Sequence, residues 1–271
     1  MLKDLSLYLD TVIHNATRYT SLVFQPQYRL SDKTLVGAEA LLRWEDPHIG
    51  NSISPSEFIR SAEVNGAIQK IGDWVFKVVA SHATRISAMP GIPDGFHLAS
   101  NISPMEFRDD NHLLPRKWID RVKSENYPKG RMVLEITENA LIKNHDLVSY
   151  QISEARDVGI EIAIDDFGTG YSSLAYLSKF DVKFLKLDKS FIDALTTSKR
   201  TALLVKGVID MAHTMEMIVI AEGVETEDQF DILNSFGCDY MQGFLLSKPL
   251  SEKDFYEVIH KSFNGASGYR L

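Results

Sequence analysis

Asp165 and Asp166 stand side by side at the end of the apolar run Ile160-Glu161-Ile162-Ala163-Ile164, and Phe167-Gly168-Thr169-Gly170-Tyr171-Ser172-Ser173 follows them. Such a pair can bridge and terminate a metal site, and two ions about 3.5–4 Å apart clamp the attacking and leaving oxygens of a phosphoryl displacement. An Asx-turn or a helix N-cap would also place an aspartate there. The pair does not stand alone. Glu39 interrupts Leu35-Val36-Gly37-Ala38 and Ala40-Leu41-Leu42, Asn101 ends the Phe96 run, and Glu135 sits between Leu134 and Ile136. Lys186 lies between Leu185 and Leu187, Glu222 follows Ile218-Val219-Ile220-Ala221, and Gln242 falls in the last extended run. Charges embedded in apolar strands are seldom buried without partners, so these residues are expected to meet. A cluster of up to five carboxylates repels itself unless cations sit among it, which predicts bound metal. Oxygen-only ligation suits Mg²⁺ or Mn²⁺ rather than zinc. The eight histidines show no ligand spacing and read as surface or packing residues.

A barrel of parallel strands would bring these residues together, because the carboxyl ends of its strands converge on one mouth. The chain has the rhythm for it. Leu2, Leu5, Leu9, Val12 and Ile13 recur at helical spacing, so residues 1–20 are expected to form an N-terminal helix packed on the barrel. Two extended runs, Leu22–Tyr28 and Leu35–Trp44, are joined by Ser31-Asp32-Lys33-Thr34, too short a link for anything but antiparallel neighbours. Ser54-Pro55-Ser56-Glu57 opens a helix with a capping box, and another helix covers Ile68–Ile86. Extended runs near Phe96–Ile102, Arg131–Thr137, Ile160–Ile164, Val182–Leu187, Met217–Ala221 and Asp239–Phe244 then alternate with helical patterns. Gly159 and Gly237 read as helix C-caps, and Thr226 with Gln229 as a second capping box. Eight strands in this order predict an α/β fold, a TIM-type (β/α)8 barrel variant with the first strand antiparallel, over residues 21–261. An open doubly wound sheet is the alternative, but no GxGxxG or GxxxxGK[ST] phosphate turn is present. Residues 262–271 have the composition of a frayed tail.

Composition narrows the chemistry. With 271 residues, 44% of them apolar, one large core is affordable; 29 basic against 37 acidic residues give a net charge of −8. No basic stripe appears, which excludes a protein that grips long nucleic acid. The lone Cys238 allows no internal disulfide and fits a reducing cytoplasm, and no apolar run predicts membrane insertion or a signal peptide.

The residues that carry this pattern resemble the EAL domain family of bacterial cyclic di-GMP phosphodiesterases. The naming signature stands as Glu39-Ala40-Leu41-Leu42-Arg43. Around it, in order, come Phe24-Gln25-Pro26, Phe58-Ile59 with Ala62-Glu63, Asn101-Ile102-Ser103-Pro104, Leu134-Glu135-Ile136-Thr137-Glu138, the Asp165–Ser173 loop, Lys186-Leu187-Asp188, Ala221-Glu222-Gly223-Val224-Glu225 and Gln242-Gly243-Phe244. The match covers about Leu22–Leu250, departing at His97-Leu98-Ala99-Ser100, which is less apolar than the family's approach to the asparagine. The resemblance implies that Glu39, Asn101, Glu135 and Asp165 hold one Mg²⁺ or Mn²⁺ ion, and that Asp165, Asp166 and Glu222 hold or face a second. It implies that Lys186 orients the nucleophilic water, and leaves open whether Glu222 is the general base. Gln25 and Arg43 would contact substrate, with Asp188, Glu225 and Gln242 as weaker candidates, and Glu138 would brace the Asp166–Ser173 loop. It further implies hydrolysis of cyclic di-GMP to linear pGpG and a homodimer. Relatives often carry sensory or GGDEF domains, and none is visible in this chain, which is a standalone enzyme or an excised domain. A non-catalytic cyclic di-GMP receptor on the same fold is the alternative; such receptors usually lose part of the ligand set, which is whole here.

Overall fold

Asp32 turns the chain back on itself: its side chain accepts the Thr34 N–H at 3.0 Å and the Arg29 guanidinium at 2.9 Å, with Lys33 in the left-handed region (φ 55°). The two flanking runs therefore pair as a hairpin of β1 (Thr20–Arg29) and β2 (Leu35–Trp44), in register from Thr20↔Trp44 through Gln25↔Glu39. This computed structural model describes residues 19–45, 54–103, 105, 116–125, 127–138, 145–168 and 180–263. The expected N-terminal helix through Ile13, the loop beyond Gly168 and residues 264–271 lie outside them.

Six further strands follow: β3 (His97–Asn101), β4 (Met132–Thr137), β5 (Ile160–Phe167), β6 (Phe184–Leu187), β7 (Ile218–Glu222) and β8 (Tyr240–Gln242). They close in sequence order, parallel from β2 to β8, and β1 joins both β2 and β8 antiparallel. The barrel with a reversed first strand is thus the observed fold, and closure excludes the open sheet. Eight described helices pack around it: α1 (Pro55–Val64), α2 (Ile68–Ser87), α3 (Arg116–Glu125), α4 (His145–Asp157), α5 (Lys189–Asp193), α6 (Lys199–Thr214), α7 (Glu227–Ser235) and α8 (Glu252–Phe263). Both expected capping boxes are present, Ser54 with Glu57 on α1 and Thr226 with Gln229 on α7. Helix α8 runs on to Phe263, whose ring meets Phe96 edge-on at 5.9 Å. No described helix is long and apolar enough to cross a membrane.

Apolar side chains form two layers. Outward-facing strand residues such as Ala38, Leu98, Leu134, Ile162 and Leu185 bury against the helices, joined by Phe76, Val79 and Ile209 from the helical side. Inside the barrel, Ala99, Val133, Ala163, Phe184 and Ile220 make a separate plug. That plug is the floor on which the polar residues sit.

Every strand but β2 departs from its expected limits, most of them by one or two residues, and three of the departures have a local correlate. β8 begins at Tyr240, just after Asp239, whose side chain accepts the Val219 N–H (2.8 Å) and meets His213 (2.8 Å). β6 begins at Phe184 rather than Val182, with the Lys183 N–H bonded to the Ile162 carbonyl at 3.1 Å. β5 runs past Ile164 to Phe167 through a register shift against β6.

Candidate active site at the carboxyl ends of the strands

Side chains alternate across a strand, so the apolar neighbours of each embedded polar residue decide which way it points. Ala38 and Ala40 flank Glu39 and face the helices; Leu134 and Ile136 do the same for Glu135, and Leu185 and Leu187 for Lys186. Their polar partners are left inside. The ladder then sets the height of each: Gln25 is opposite Glu39, Asn101 opposite Glu135, and Glu222 opposite Gln242. One ring of polar groups results, above the apolar plug and at the carboxyl ends of the parallel strands.

Lys186 is the centre of that ring. It is 1% exposed, and its Nζ lies 2.7 Å from Glu222 Oε1, 2.8 Å from Glu135 Oε2, 3.1 Å from Asp165 Oδ1 and 3.5 Å from Glu39 Oε2. Around it, Asn101 Nδ2 donates to Glu39 Oε1 and Gln242 Nε2 to Glu39 Oε2, both at 2.6 Å. Gln242 Nε2 also reaches Gln25 Oε1 at 3.1 Å. Asp165 and Asp166 would face opposite sides of a regular strand. The register shift between Ile164 and Phe167, with Asp166 at φ 54°, brings both to the mouth instead. Left-handed backbone is tolerated by aspartate far better than by most side chains. Asp165, Asp166 and Glu222 each offer an oxygen within 4.8 Å of the others.

One lysine does not neutralise these carboxyls. Burial would raise Glu39, but the Lys186 charge and the Gln242 and Asn101 hydrogen bonds hold it below the ordinary carboxylate value. Glu135 is pushed well up, first by burial and then by Glu39, and Lys186 only partly opposes this. Burial raises Glu222 to about 8 against the pull of Lys186, with Asp165 and Glu39 adding to the rise. Asp166 is raised by burial and by Asp165. Burial opposes the Lys186 ammonium, yet Glu135, Glu222, Glu39 and Asp165 together lift it well above its usual value. The site therefore holds excess negative charge that must take up either protons or cations. Buried Glu135 takes the Lys186 ammonium at 2.8 Å on Oε2, and no donor reaches its Oε1. A buried carboxylate oxygen without a donor, beside a tight cluster of three more carboxylates, fits hard, oxygen-ligated divalent ions. Glu39, Asn101, Glu135 and Asp165 could hold one, and Asp165, Asp166 and Glu222 another.

The remaining candidates divide. Half-buried Arg43 lies on the Glu39 face of β2, electrostatically paired with Glu39, and donates Nη1 to the Leu42 carbonyl at 2.9 Å. Gln25 is buried beside Gln242. Asp188 is close enough to raise Asp166, but its carboxylate caps α5 through the Ser190 N–H at 3.0 Å. Glu225 is engaged by Lys189 Nζ at 2.9 Å, outside the ring. Glu138 is buried and accepts the Gly168 N–H at 2.9 Å, tying down the start of the loop that carries Asp166. Gln27, not among the sequence candidates, and His97, which reads as surface or packing, are both buried inside the barrel. The available signal was parity: Gln27 is two residues from Gln25 and His97 four from Asn101, each on the same inward face.

The family model described as the EAL domain matches residues 13–249. The cyclic di-GMP phosphodiesterase PA2567 of Pseudomonas aeruginosa is 35% identical over 229 residues, 84% of this chain and 38% of that protein. The oxygen sensor protein DosP of Escherichia coli is 34% identical over 237 residues, 86% of this chain and 28% of its own length. The solved structure of the PaMucR phosphodiesterase in complex with c-di-GMP superposes with a TM-score of 0.82 at 31% identity, covering 93% of this chain and 99% of that one. The chain spans about a third of the length of the curated relatives it matches.

Proposed function

We propose that this chain, which belongs to the EAL domain family, is a metal-dependent phosphodiesterase that hydrolyses one 3′–5′ phosphodiester of cyclic di-GMP to linear pGpG. The observation that carries the reading is the intact polar ring: four carboxylates converge on one buried ammonium, and two of them, Glu135 and Glu222, carry raised pKa values that call for further cations. Bound Mg²⁺ or Mn²⁺, two ions in this reading, would supply Lewis-acid polarisation of the phosphoryl oxygens and of the attacking water. Glu39, Asn101, Glu135, Asp165, Asp166 and Glu222 would hold those ions.

The rest is done by side chains. Lys186 donates to the water that attacks phosphorus, aligns it opposite the 3′-oxygen, and stabilises the negative charge gathering on the phosphoryl group. Glu222, adjacent to Lys186, would accept the proton that the attacking water gives up. The P–O3′ bond breaks and the 3′-oxygen takes a proton, giving a 5′-phosphorylated linear dinucleotide. Arg43 forks onto a phosphate, and Gln25 contacts substrate; Gln242, Asp188 and Glu225 complete the substrate side. Glu138 keeps the Asp166 loop in place for this arrangement. The protein lowers a bacterial second messenger in the cytoplasm, works as a homodimer, and in longer relatives would be one module beside sensory or GGDEF domains.

Incubating the chain with cyclic di-GMP and Mg²⁺ or Mn²⁺, and following pGpG by chromatography, tests this directly. Excess EDTA should abolish product and added ion restore it; full turnover in chelator refutes the metal assignment. Tight binding without any pGpG would replace the enzyme by a receptor.

A further inference from the structure

An unbroken file of buried hydrogen bonds runs down the inside of the barrel from Glu39 to the floor. Gln242 Nε2 donates to Glu39 Oε2 at 2.6 Å, Gln27 Nε2 donates to Gln242 Oε1 at 2.8 Å, and His97 Nε2 lies 2.8 Å from Gln27 Oε1. The far ring nitrogen, Nδ1, is 3.3 Å from the Gly95 carbonyl. Gln27 is 0% exposed, His97 1% and Gln242 5%. The imidazole has a built seat. It rests 4.8 Å from the Phe184 ring and 6.2 Å from the Tyr240 ring. Opposite it in register stands Gly37, where a Cβ would come within 2.9 Å of the imidazole Cε1 and Nε2. Glycine inside a strand commonly marks such a close approach.

The file has two possible directions, and Glu39 selects one. If every amide were turned over, Gln242 would aim Oε1 at a carboxylate oxygen 2.6 Å away, acceptor against acceptor. An ionised Glu39 therefore requires Gln242 to donate upward, Gln27 to donate to Gln242, and His97 to donate from Nε2–H to the Gln27 oxygen left over. Burial drives His97 down to about 4, so the ring is neutral with a single N–H. The 2.8 Å contact to Gln27 takes it on Nε2, and Nδ1 is left bare beside the Gly95 carbonyl at the longer 3.3 Å.

We propose that His97 and Gln27 are positioning residues for the metal site: they lock the Gln242 amide in the orientation that holds Glu39 ready to ligate. The proposal rests on the metal-dependent reading above and deepens it. Neither residue touches ion or substrate, so the effect passes through Gln242 alone.

The test uses His97→Phe, His97→Gln and Gln27→Leu in the intact chain, with Mn²⁺ affinity by electron paramagnetic resonance of free ion, kcat and KM for cyclic di-GMP, and melting temperature. Groups that bond directly to a ligand typically change metal affinity or activity about 10–100-fold, so at Gln27 and His97, one and two steps beyond Gln242, the expected losses are smaller, about three- to tenfold. His97→Phe keeps the ring stack but cannot donate. It should weaken Mn²⁺ binding and lower kcat by that amount, with KM moving less than about twofold. Gln27→Leu should do the same, while His97→Gln, which can donate, should recover most of the loss. If folded His97→Phe and Gln27→Leu bind Mn²⁺ and turn over like the wild type, the proposal is wrong. It is equally wrong if His97→Gln performs no better than His97→Phe, or if both donor-deleted variants fail to fold, since the file would then serve only the barrel. Wild-type protein that binds Mn²⁺ but makes no pGpG would instead refute the enzyme reading and leave the Mn²⁺ comparison to decide this one.

Discussion

Replacing Lys186 with methionine separates what the ammonium does for the fold from what it does for the reaction. Methionine keeps most of the unbranched stem, so the apolar packing around the 1%-exposed side chain changes little and the charge is what disappears. Four carboxylates within 3.5 Å then lose their shared cation. Removing one partner of a buried ion pair typically costs about 3–5 kcal/mol. At about 2–4 °C per kcal/mol for a domain of this size, the metal-free melting temperature should fall by about 6–20 °C. The upper part of that range belongs to pH 8 and the lower to pH 6, because Glu135 and Glu222 already favour protons and can take them up where they are available. Divalent ions should compensate: without the competing ammonium the variant should bind Mn²⁺ more tightly, and each tenfold gain in affinity adds about 1.4 kcal/mol at saturating ion, so the gap to wild type should narrow in Mn²⁺. Activity should not recover with stability. In saturating Mn²⁺, loss of a donor aimed at developing phosphoryl charge should lower kcat about 100-fold while KM stays within about threefold. Thermal melts in EDTA and in Mn²⁺ at both pH values, followed by kinetics on the ion-saturated protein, decide the matter. A metal-free gap under about 3 °C at pH 8 would show that Lys186 does not neutralise the cluster. Near-normal kcat in a destabilised variant would confine the residue to structure.

Glu39→Ala deletes a carboxylate that Asn101 and Gln242 both hold, and should cost at least about 100-fold in kcat, or about 2.7 kcal/mol, in a variant whose fold is checked by circular dichroism. For Glu222 the sign follows from a folded value near 8 against about 4.3 in an unfolded chain: between these the native state binds more protons, so its stability falls as pH rises from about 5 to about 8 and levels off above. Metal-free Glu222→Gln lacks that titration and should gain in melting temperature relative to wild type over the same interval; parallel curves would contradict the raised value. Glu138→Ala removes the acceptor of the Gly168 N–H and should shift Mg²⁺ activation to higher concentration without unfolding the barrel, whereas superimposable Mg²⁺ titrations with equal maximal rates would remove the bracing role.

How far the chain could be read in advance depended on whether a feature was written in periodicity or in backbone detail. The hairpin turn at Asp32, the capping boxes at Ser54 and Thr226, and the eight-strand order all rest on local patterns that burial then reinforces, and each is present. Strand ends were less legible. Phe244 looks like a strand residue, yet the chain leaves the barrel at Gln242 and Phe244 is left 53% exposed. There Gly243 passes so close to Val224 that a Cβ would meet its carbonyl oxygen. The short helix α5 carries little sequence signal, because its start is marked only by Asp188, a residue type that suits substrate contact as well as a cap. His97 has no second ligand at metal spacing and so reads as surface or packing; its role depends on Gly37 across the ladder and Gln27 across the barrel, pairings that only the register creates.

The same division explains why the acidic cluster was visible from sequence while its balance was not. Alternation alone places Glu39, Glu135 and Lys186 inside, because their neighbours are apolar and must face the helices. It cannot bring Asp165 and Asp166 to one side, since consecutive residues diverge by rule; that takes the register shift before Phe167 and a left-handed Asp166. Nor does it show that the lone lysine stands within reach of four carboxylates at once, which requires closure of the barrel. Closure is therefore what turns scattered strand charges into a site. The plug of Ala99, Val133, Ala163, Phe184 and Ile220 fills the barrel below the ring, with only buried, neutral Gln27 and His97 beside it, so the charges above are screened by neither water nor bulk ions from below. In that setting Lys186 holds Glu39 ionised but leaves Glu135 and Glu222 inclined to their protons. A site poised between protons and divalent cations stays folded before the ions arrive and still has ligands to offer when they do.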